Sequence, residues 1–233
     1  MVDQNPPPND KKSIMQKFED LLRNPKVSAT KAMAWFRANV KVLLSSNDTA
    51  QSIMAKDKTL LRQASNMQQS RRYVGRMVMF YYQAKYRETL PYYDMFPLVI
   101  VVKMLPDGFL GLNLHYLPIK NRLQVLTAFY QFYKDHKIDW FNPNLPLDQH
   151  VNYQMLNRLA GSAARYYKPC VKRYLYKGND HRAGGVKSRF LVVPPEEWEK
   201  MLVLPVERFV SQSGKRPNIS ASTVQSESIQ KAK

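Results

Sequence analysis

The sequence predicts an α+β fold, in which a helical N-terminal region precedes a small twisted antiparallel sheet flanked by helices. Three observations lead there. Apolar residues recur at helical spacing before residue 62. Two central runs, Arg76 to Tyr82 and Leu98 to Leu105, are rich in residues suited to a pleated surface, and a Pro-Asp-Gly turn follows the second. Helical stripes then return on both sides of Pro143 and Pro146.

Residues 1–12 contain three consecutive prolines and no periodicity, and are expected to form a disordered arm. Ser13 can cap a first helix whose Ile14, Phe18, Leu21 and Leu22 share a face and which ends before Pro25. Ser28 can cap a second, with Met33, Phe36, Val40 and Leu43 on its apolar side. Lys31, Arg37 and Lys41 lie largely away from that stripe, as a solvated face would. Asp48 can cap a third helix through Ile53, Leu60 and Leu61. Together these form a helical N-terminal region over 13–70.

The α+β core is expected over 71–210. Arg76 to Tyr82 is apolar on both faces, and Leu98 to Leu105 is the second strand. In Pro106-Asp107-Gly108, proline sets φ while Asp and Gly tolerate the remaining turn geometry. Phe109 to Tyr116 alternates, with Leu110, Leu112, Leu114 and Tyr116 on one face and Gly111, Asn113 and His115 on the other. The second strand of this hairpin is therefore expected to be half buried. Pro118 suits the first turn of a helix that continues through Leu123, Leu126, Tyr130 and Tyr133. Asp148 can cap another through Val151, Met155, Leu159 and Ala163. After the glycine-containing loop KGNDHRAGG, Phe190 to Val193 reads as a strand returning to the sheet. Pro194-Pro195 can start a short helix carrying Trp198. The polar residues 211–233 are expected to be a disordered tail. An SH3-like sheet is one arrangement compatible with this order.

Hydrophobic residues make up 44% of the chain, enough to bury a core. Purely apolar runs such as Leu98 to Val102 are far shorter than the ~20 residues of a membrane-spanning helix. The opening MVDQNPPPNDKK lacks an apolar signal core, so the chain is expected to be intracellular or carried in a particle assembled inside a cell. Cys170 is the single cysteine, which excludes an internal disulfide and a Cys-rich zinc site. The formal charge is +18, from 36 Lys and Arg against 18 Asp and Glu. Nucleic acid is the commonest partner for such a surplus; general basicity and an anionic membrane surface are the alternatives. No helix combines a basic face with a broad exposed apolar one, which counts against the membrane.

The surplus is concentrated. Residues 148–189 carry 9 basic and 2 acidic side chains, whereas residues 190–233 carry 6 and 5. Within this tract lie Arg158, Arg165, Lys168, Lys172, Arg173, Lys177, Arg182, Lys187 and Arg189, interleaved with Tyr166, Tyr167, Tyr174 and Tyr176. Cations neutralise phosphates, and aromatic faces can stack on exposed bases. The basic side chains are therefore candidate DNA contacts, extended by Arg71, Arg72 and Arg76. Tyr166, Tyr167 and Tyr174 are candidates for stacking or for packing beneath the patch. A second unusual segment, YRETLPYYDMFP, offers Tyr86, Tyr92, Tyr93 and Phe96 for protein docking or as a plug at one end of the sheet.

Enzyme signatures are weak. Gly185-Val186-Lys187-Ser188 lacks the spacing of a phosphate-binding loop. Asp107 with Asp135-His136-Lys137 distantly imitates a metal-dependent nuclease, but acids are scarce in the basic region. His115, His136, His150 and His181 show no metal-ligand spacing, and His115 reads as a partly buried structural residue. No catalytic residue, metal or cofactor is expected.

Three motifs are familiar in their order. They are GRMVMFYYQAKYRETLPYYDMFPLVIVVKMLPDGFLGLNLHYLP (Gly75 to Pro118), RYYKPCVKRYLY (Arg165 to Tyr176) and SRFLVVPPEEWEKMLVLPVERF (Ser188 to Phe209). Together they resemble the DNA end protector, or head completion, proteins of T-even-like tailed phages. The resemblance covers about half the chain and does not reach the first 65 residues, which look like a helical extension. It implies a virion protein, assembled in the host cytoplasm, that binds the ends of packaged linear double-stranded DNA. Such a protein would help close the filled head before tail joining and shield the ends from exonuclease. Its other partners would be portal, neck or other virion proteins, with no membrane and no catalysis. The rival classes are a neck or baseplate component docking acidic protein surfaces, and a metal-dependent DNA-end nuclease.

Overall fold

Pro106 and Asp107 form the turn around which the sheet is organised. The computed structural model describes residues 16, 18, 20, 23, 25–45, 73–136, 167–176, 184–188, 190–202, 209–210 and 220–230. In chain order its strands are β1 (Met77–Met79), β2 (Tyr82–Gln83), β3 (Tyr93–Asp94), β4 (Leu98–Leu105), β5 (Gly108–Asn113), β6 (Val171–Leu175), β7 (Gly185–Val186), β8 (Leu191–Val193) and β9 (Phe209–Val210). Its helices are α1 (Pro25–Ser45), α2 (Ile119–Asp135), α3 (Trp198–Leu202) and α4 (Ala221–Gln230). Single 3-10 turns cover Leu114–Tyr116, Lys168–Cys170 and Pro195–Glu197.

Five strands form one antiparallel sheet in the order β6-β5-β4-β1-β8, so the fold is α+β as expected. β2 pairs with β7 and β3 with β9 in two small ladders. An SH3-like closure is not established by these pairings. The β4–β5 register shifts between Val101 and Lys103. This irregularity falls where β4 passes from fully buried residues to the exposed Lys103.

Successive side chains alternate across a strand, so strands apolar on both faces must be covered on both. Met77, Met79, Leu98, Ile100 and Leu112 pack against Phe36 and Val40 of α1, Leu126 and Phe129 of α2, and Trp198 of α3. Val78, Val99, Val101 and Phe109 face a second cluster centred on Phe80. The Phe80 ring meets those of Tyr174, Phe190 and Phe109 at 5.2, 5.3 and 5.5 Å, all near-perpendicular. That edge-to-face geometry suits the aromatic quadrupole. α1 comes from the N-terminal helical region, yet its apolar residues belong to the same cluster as the sheet. Trp35 Nε1 also donates to Glu197 at 3.1 Å.

Several expectations need correction. α1 begins at Pro25, and Ser28 lies buried in its first turn instead of capping it. Proline is tolerated there because its missing N–H would have no intrahelical partner. Ala32, Phe36, Val40 and Leu43 form the buried stripe, with Met33 only half buried; Lys31, Arg37 and Lys41 are exposed. β5 ends at Asn113, whose side chain accepts the His115 N–H at 2.8 Å and starts a 3-10 turn. The face expected to be solvated carries Asn113 and His115, which are buried, so β5 is covered on both sides. Gly108 is needed for close approach, not for turn geometry. A Cβ there would lie 1.9 Å from the Tyr174 carbonyl oxygen. Pro118 is the N-cap of α2. Residues 221–230, expected in a disordered tail, form α4, capped where Ser220 Oγ accepts the Thr223 N–H at 3.1 Å. The expected arm over 1–12, the Asp48 helix, the Asp148 helix and most of the KGNDHRAGG loop lie outside the described residues.

Gly108→Ala is expected to cost about 2 kcal/mol or more, because β6 backbone must shift. A lowered urea midpoint with an unchanged m-value would show it. Cys170 is fully buried, and burial pushes its thiol up to about 12. A thiol-specific reagent should therefore label the native protein at least ~100-fold more slowly than the urea-unfolded chain.

Candidate nucleic-acid interface

β6 is the longest described strand of the basic tract, and its pairing with β5 sets the direction of each of its side chains. Tyr174 points into the second core cluster, stacked on Phe109 with ring centroids 5.3 Å apart. Its hydroxyl accepts a hydrogen bond from Asn113 Nδ2 at 3.0 Å. Lys172 shares that face but sits nearer solvent. Its ammonium lies 3.3 Å from Ser228 Oγ of α4 and 4.8 Å from the centre of the Tyr116 ring. Arg173 points the other way and meets Asp107 of the β4–β5 turn at 2.6 Å. Both of those side chains are more than half exposed, so the pair adds little stability. Lys168 is exposed on its 3-10 turn, while Lys187 and Arg76 are half buried beside β7 and β1. Arg158, Arg165, Lys177, Arg182, Arg189, Arg71, Arg72 and Tyr166 lie outside the described residues.

Burial removes two tyrosines from any stacking role. Tyr167 is 3% exposed and donates to Gln124 at 2.8 Å; Tyr174 is 4% exposed. Both pack beneath the patch. Desolvation raises the phenol pKa of each, Tyr174 the more strongly.

The tyrosine-rich loop between β2 and β3 is folded by its own turns, with Leu90 and Thr89 N–H groups both bonded to the Tyr86 carbonyl. Tyr86 is 61% exposed, and the Lys85 ammonium lies 5.1 Å from its ring centre. Tyr92 is half buried and donates a short hydrogen bond to the Glu227 carboxylate of α4. Desolvation, that hydrogen bond and the Glu227 charge all raise the Tyr92 pKa. Tyr93 is half buried, and desolvation is the main cause of its raised pKa. Phe96 cannot serve as a docking residue. It is 1% exposed, stacked on Tyr81 and edge-on to Phe36, because the chain turns inward there to enter β4.

Asp94 explains that inward turn. Its carboxylate lies 2.9 Å from His115 Nδ1, accepts from Asn113 Nδ2 at 2.8 Å and accepts the Phe96 N–H at 3.2 Å. His115 Nε2 is buried without a hydrogen-bond partner among the described residues. His115 is thus fully, not partly, buried.

The two segments singled out in the sequence meet. The loop, β6 and α4 enclose an open cleft of about 630 Å³. Lys85, Tyr86, Tyr92 and Tyr93 line one side, Lys172 and Arg173 another, and Glu227 a third. No local signal pairs residues so far apart in the chain. The nuclease constellation finds less support. Asp107 is ion-paired to Arg173, and Asp135 is exposed at the end of α2, accepting from Gln131. Among the described residues no group of three or more His, Cys, Asp or Glu is arranged to hold a metal ion.

The family described as phage T4 terminal DNA protecting protein matches residues 10–228 of this chain. Residues 10–65 are therefore part of the family's span, which corrects the reading of the first 65 residues as an extension. No curated protein and no solved structure gave a significant match.

Replacing Asp94 with alanine strands the buried Asn113 amide, His115 and the Phe96 N–H. The expected cost is about 3 kcal/mol. Amides of 84–96 should also exchange with solvent faster relative to those of β4, as hydrogen-exchange mass spectrometry would show.

Proposed function

This chain belongs to the family of phage T4 terminal DNA protecting proteins, and from that premise we propose that it binds and protects the ends of packaged linear double-stranded DNA. The same reading makes it a non-catalytic virion component that helps complete the head before tail joining, in contact with portal or neck proteins. The observation that carries the DNA contact is the charge distribution. Of a formal +18, the 42 residues from 148 to 189 supply 9 basic against 2 acidic side chains. Three of these cations, Lys168, Lys172 and Arg173, fall on a short 3-10 turn and strand held to the sheet through β5. Their positions are thus set by backbone pairing, while the buried Tyr167 and Tyr174 anchor the same stretch from below. Such an arrangement suits phosphates, whose neutralisation releases counterions and requires no particular base sequence. No described helix is long and apolar enough to cross a membrane.

The purified protein should bind blunt linear DNA more tightly than closed circular DNA of equal length, and should slow exonuclease digestion of the linear form. Affinity should fall steeply with salt, as log K against log[salt]. Arg173→Ala is expected to weaken binding ~3- to 10-fold and to lower that slope by about one. Equal affinity for both DNA forms would leave only general DNA binding. Absence of binding at moderate salt would instead favour a structural role against acidic protein partners.

A further inference from the structure

The cleft between the tyrosine loop, β6 and α4 has a composition that a continuous phosphate track would not need. Aromatic side chains dominate it: Tyr86, Tyr92, Tyr93 and Tyr116 line it together with the cations Lys85 and Lys172. Its carboxylates are already engaged. Asp94 is held by Asn113 and His115, Asp107 by Arg173, and Glu227 by Tyr92. At about 630 Å³ the cleft falls within the ~300–1,000 Å³ range of small-molecule sites.

We propose that this cleft receives one unstacked terminal nucleotide of the DNA, its base against the tyrosine faces and its phosphate at Lys85 and Lys172. The inference rests on the end-binding function proposed above and supplies what a basic patch lacks, a means of telling an end from the interior of a duplex. A nucleotide offers a flat π surface and an anion within one small unit, and the cleft offers a partner for each. Tyr86 is the exposed ring, with the Lys85 ammonium beside it. Lys172 reaches in from the opposite wall, over the Tyr116 ring. Terminal base pairs open at little cost because they stack on one side only. The internal pairs of a closed circle do not supply such a nucleotide.

The test uses the full chain with linear duplexes carrying 2-aminopurine at the 5′ terminal position, at the 3′ terminal position or at the centre. Binding should change the fluorescence of a terminal probe and leave the central one unaffected, and comparison of the two ends identifies the strand received. Tyr86→Ala should abolish that change and weaken linear-DNA binding about tenfold. Tyr86→Phe, which keeps the ring, should retain both. Tyr86 is exposed, so an unchanged urea midpoint is expected for each variant and separates this loss from unfolding. Wild-type protein that binds and protects linear DNA but alters terminal and central probes alike, or neither, overturns the cleft assignment alone. So does a Tyr86→Ala protein with an undiminished terminal signal. Wild-type protein that binds no linear DNA overturns the end-binding reading and this inference with it.

Discussion

A buried carboxylate, Asp94, fixes the relation between the sheet and everything that lies along its edge. A polar group inside a protein is tolerated only when hydrogen bonds replace its lost water. Here the replacements come from β5 and the turn after it, through Asn113 and His115, and from the Phe96 N–H at the entrance to β4. Asn113 passes the constraint on to β6 through the Tyr174 hydroxyl. Apolar packing tolerates sliding, whereas a directional network of this kind does not. The tyrosine loop therefore has one position relative to Lys172 and Arg173. A second internal polar group acts similarly on the helices. Arg122 of α2 is 1% exposed, and burial brings its guanidinium down to about 10, still charged at neutral pH. It donates to the Leu117 carbonyl at 2.7 Å and lies 3.4 Å from the Met201 and Leu202 carbonyls at the end of α3. A cation at a helix C-terminus also complements the helix dipole.

The two faces of the sheet have different roles. The face covered by helices buries Met, Leu, Ile and Trp side chains and carries most of the apolar burial. The opposite face is an aromatic cluster whose rings extend from Phe80 and Phe109 outward to Tyr174 and Tyr82. Along β6 the alternation of the strand separates the tasks. Tyr174 goes inward to hold the strand, while Arg173 is presented outward. Among the described residues of the tract, Tyr167 and Tyr174 are buried packing residues. Rings that remain accessible come from the loop, Tyr86 above all.

Much of this was legible from local pattern. The Leu98–Leu105 strand, the turn at Pro106 and Asp107, the helix after Pro118, the strand ending at Val193 and the turn carrying Trp198 follow from periodicity and turn chemistry, both properties of adjacent residues. The basic tract follows from composition, and the family from motifs that remain in order along the chain. Local pattern did not reveal why position 108 must be glycine, because the obstructing atom belongs to Tyr174, 66 residues later. Nor did it reveal that Arg122, Asn113 and Asp94 are interior, or that His115 is fully and not partly buried, since the partners of polar residues are not local. α4 was hidden by its composition: ASTVQSESIQ has few apolar residues, and its burial depends on the 3-10 turns it packs against. The sequence by itself thus determined the central hairpin, the helix after Pro118, the charge and the family. The meeting of the tyrosine loop, β6 and α4 in one cleft was decided by tertiary structure alone, because contacts such as Lys172 with Ser228, 56 positions apart, and Tyr92 with Glu227, 135 apart, depend on chain packing and leave no local trace.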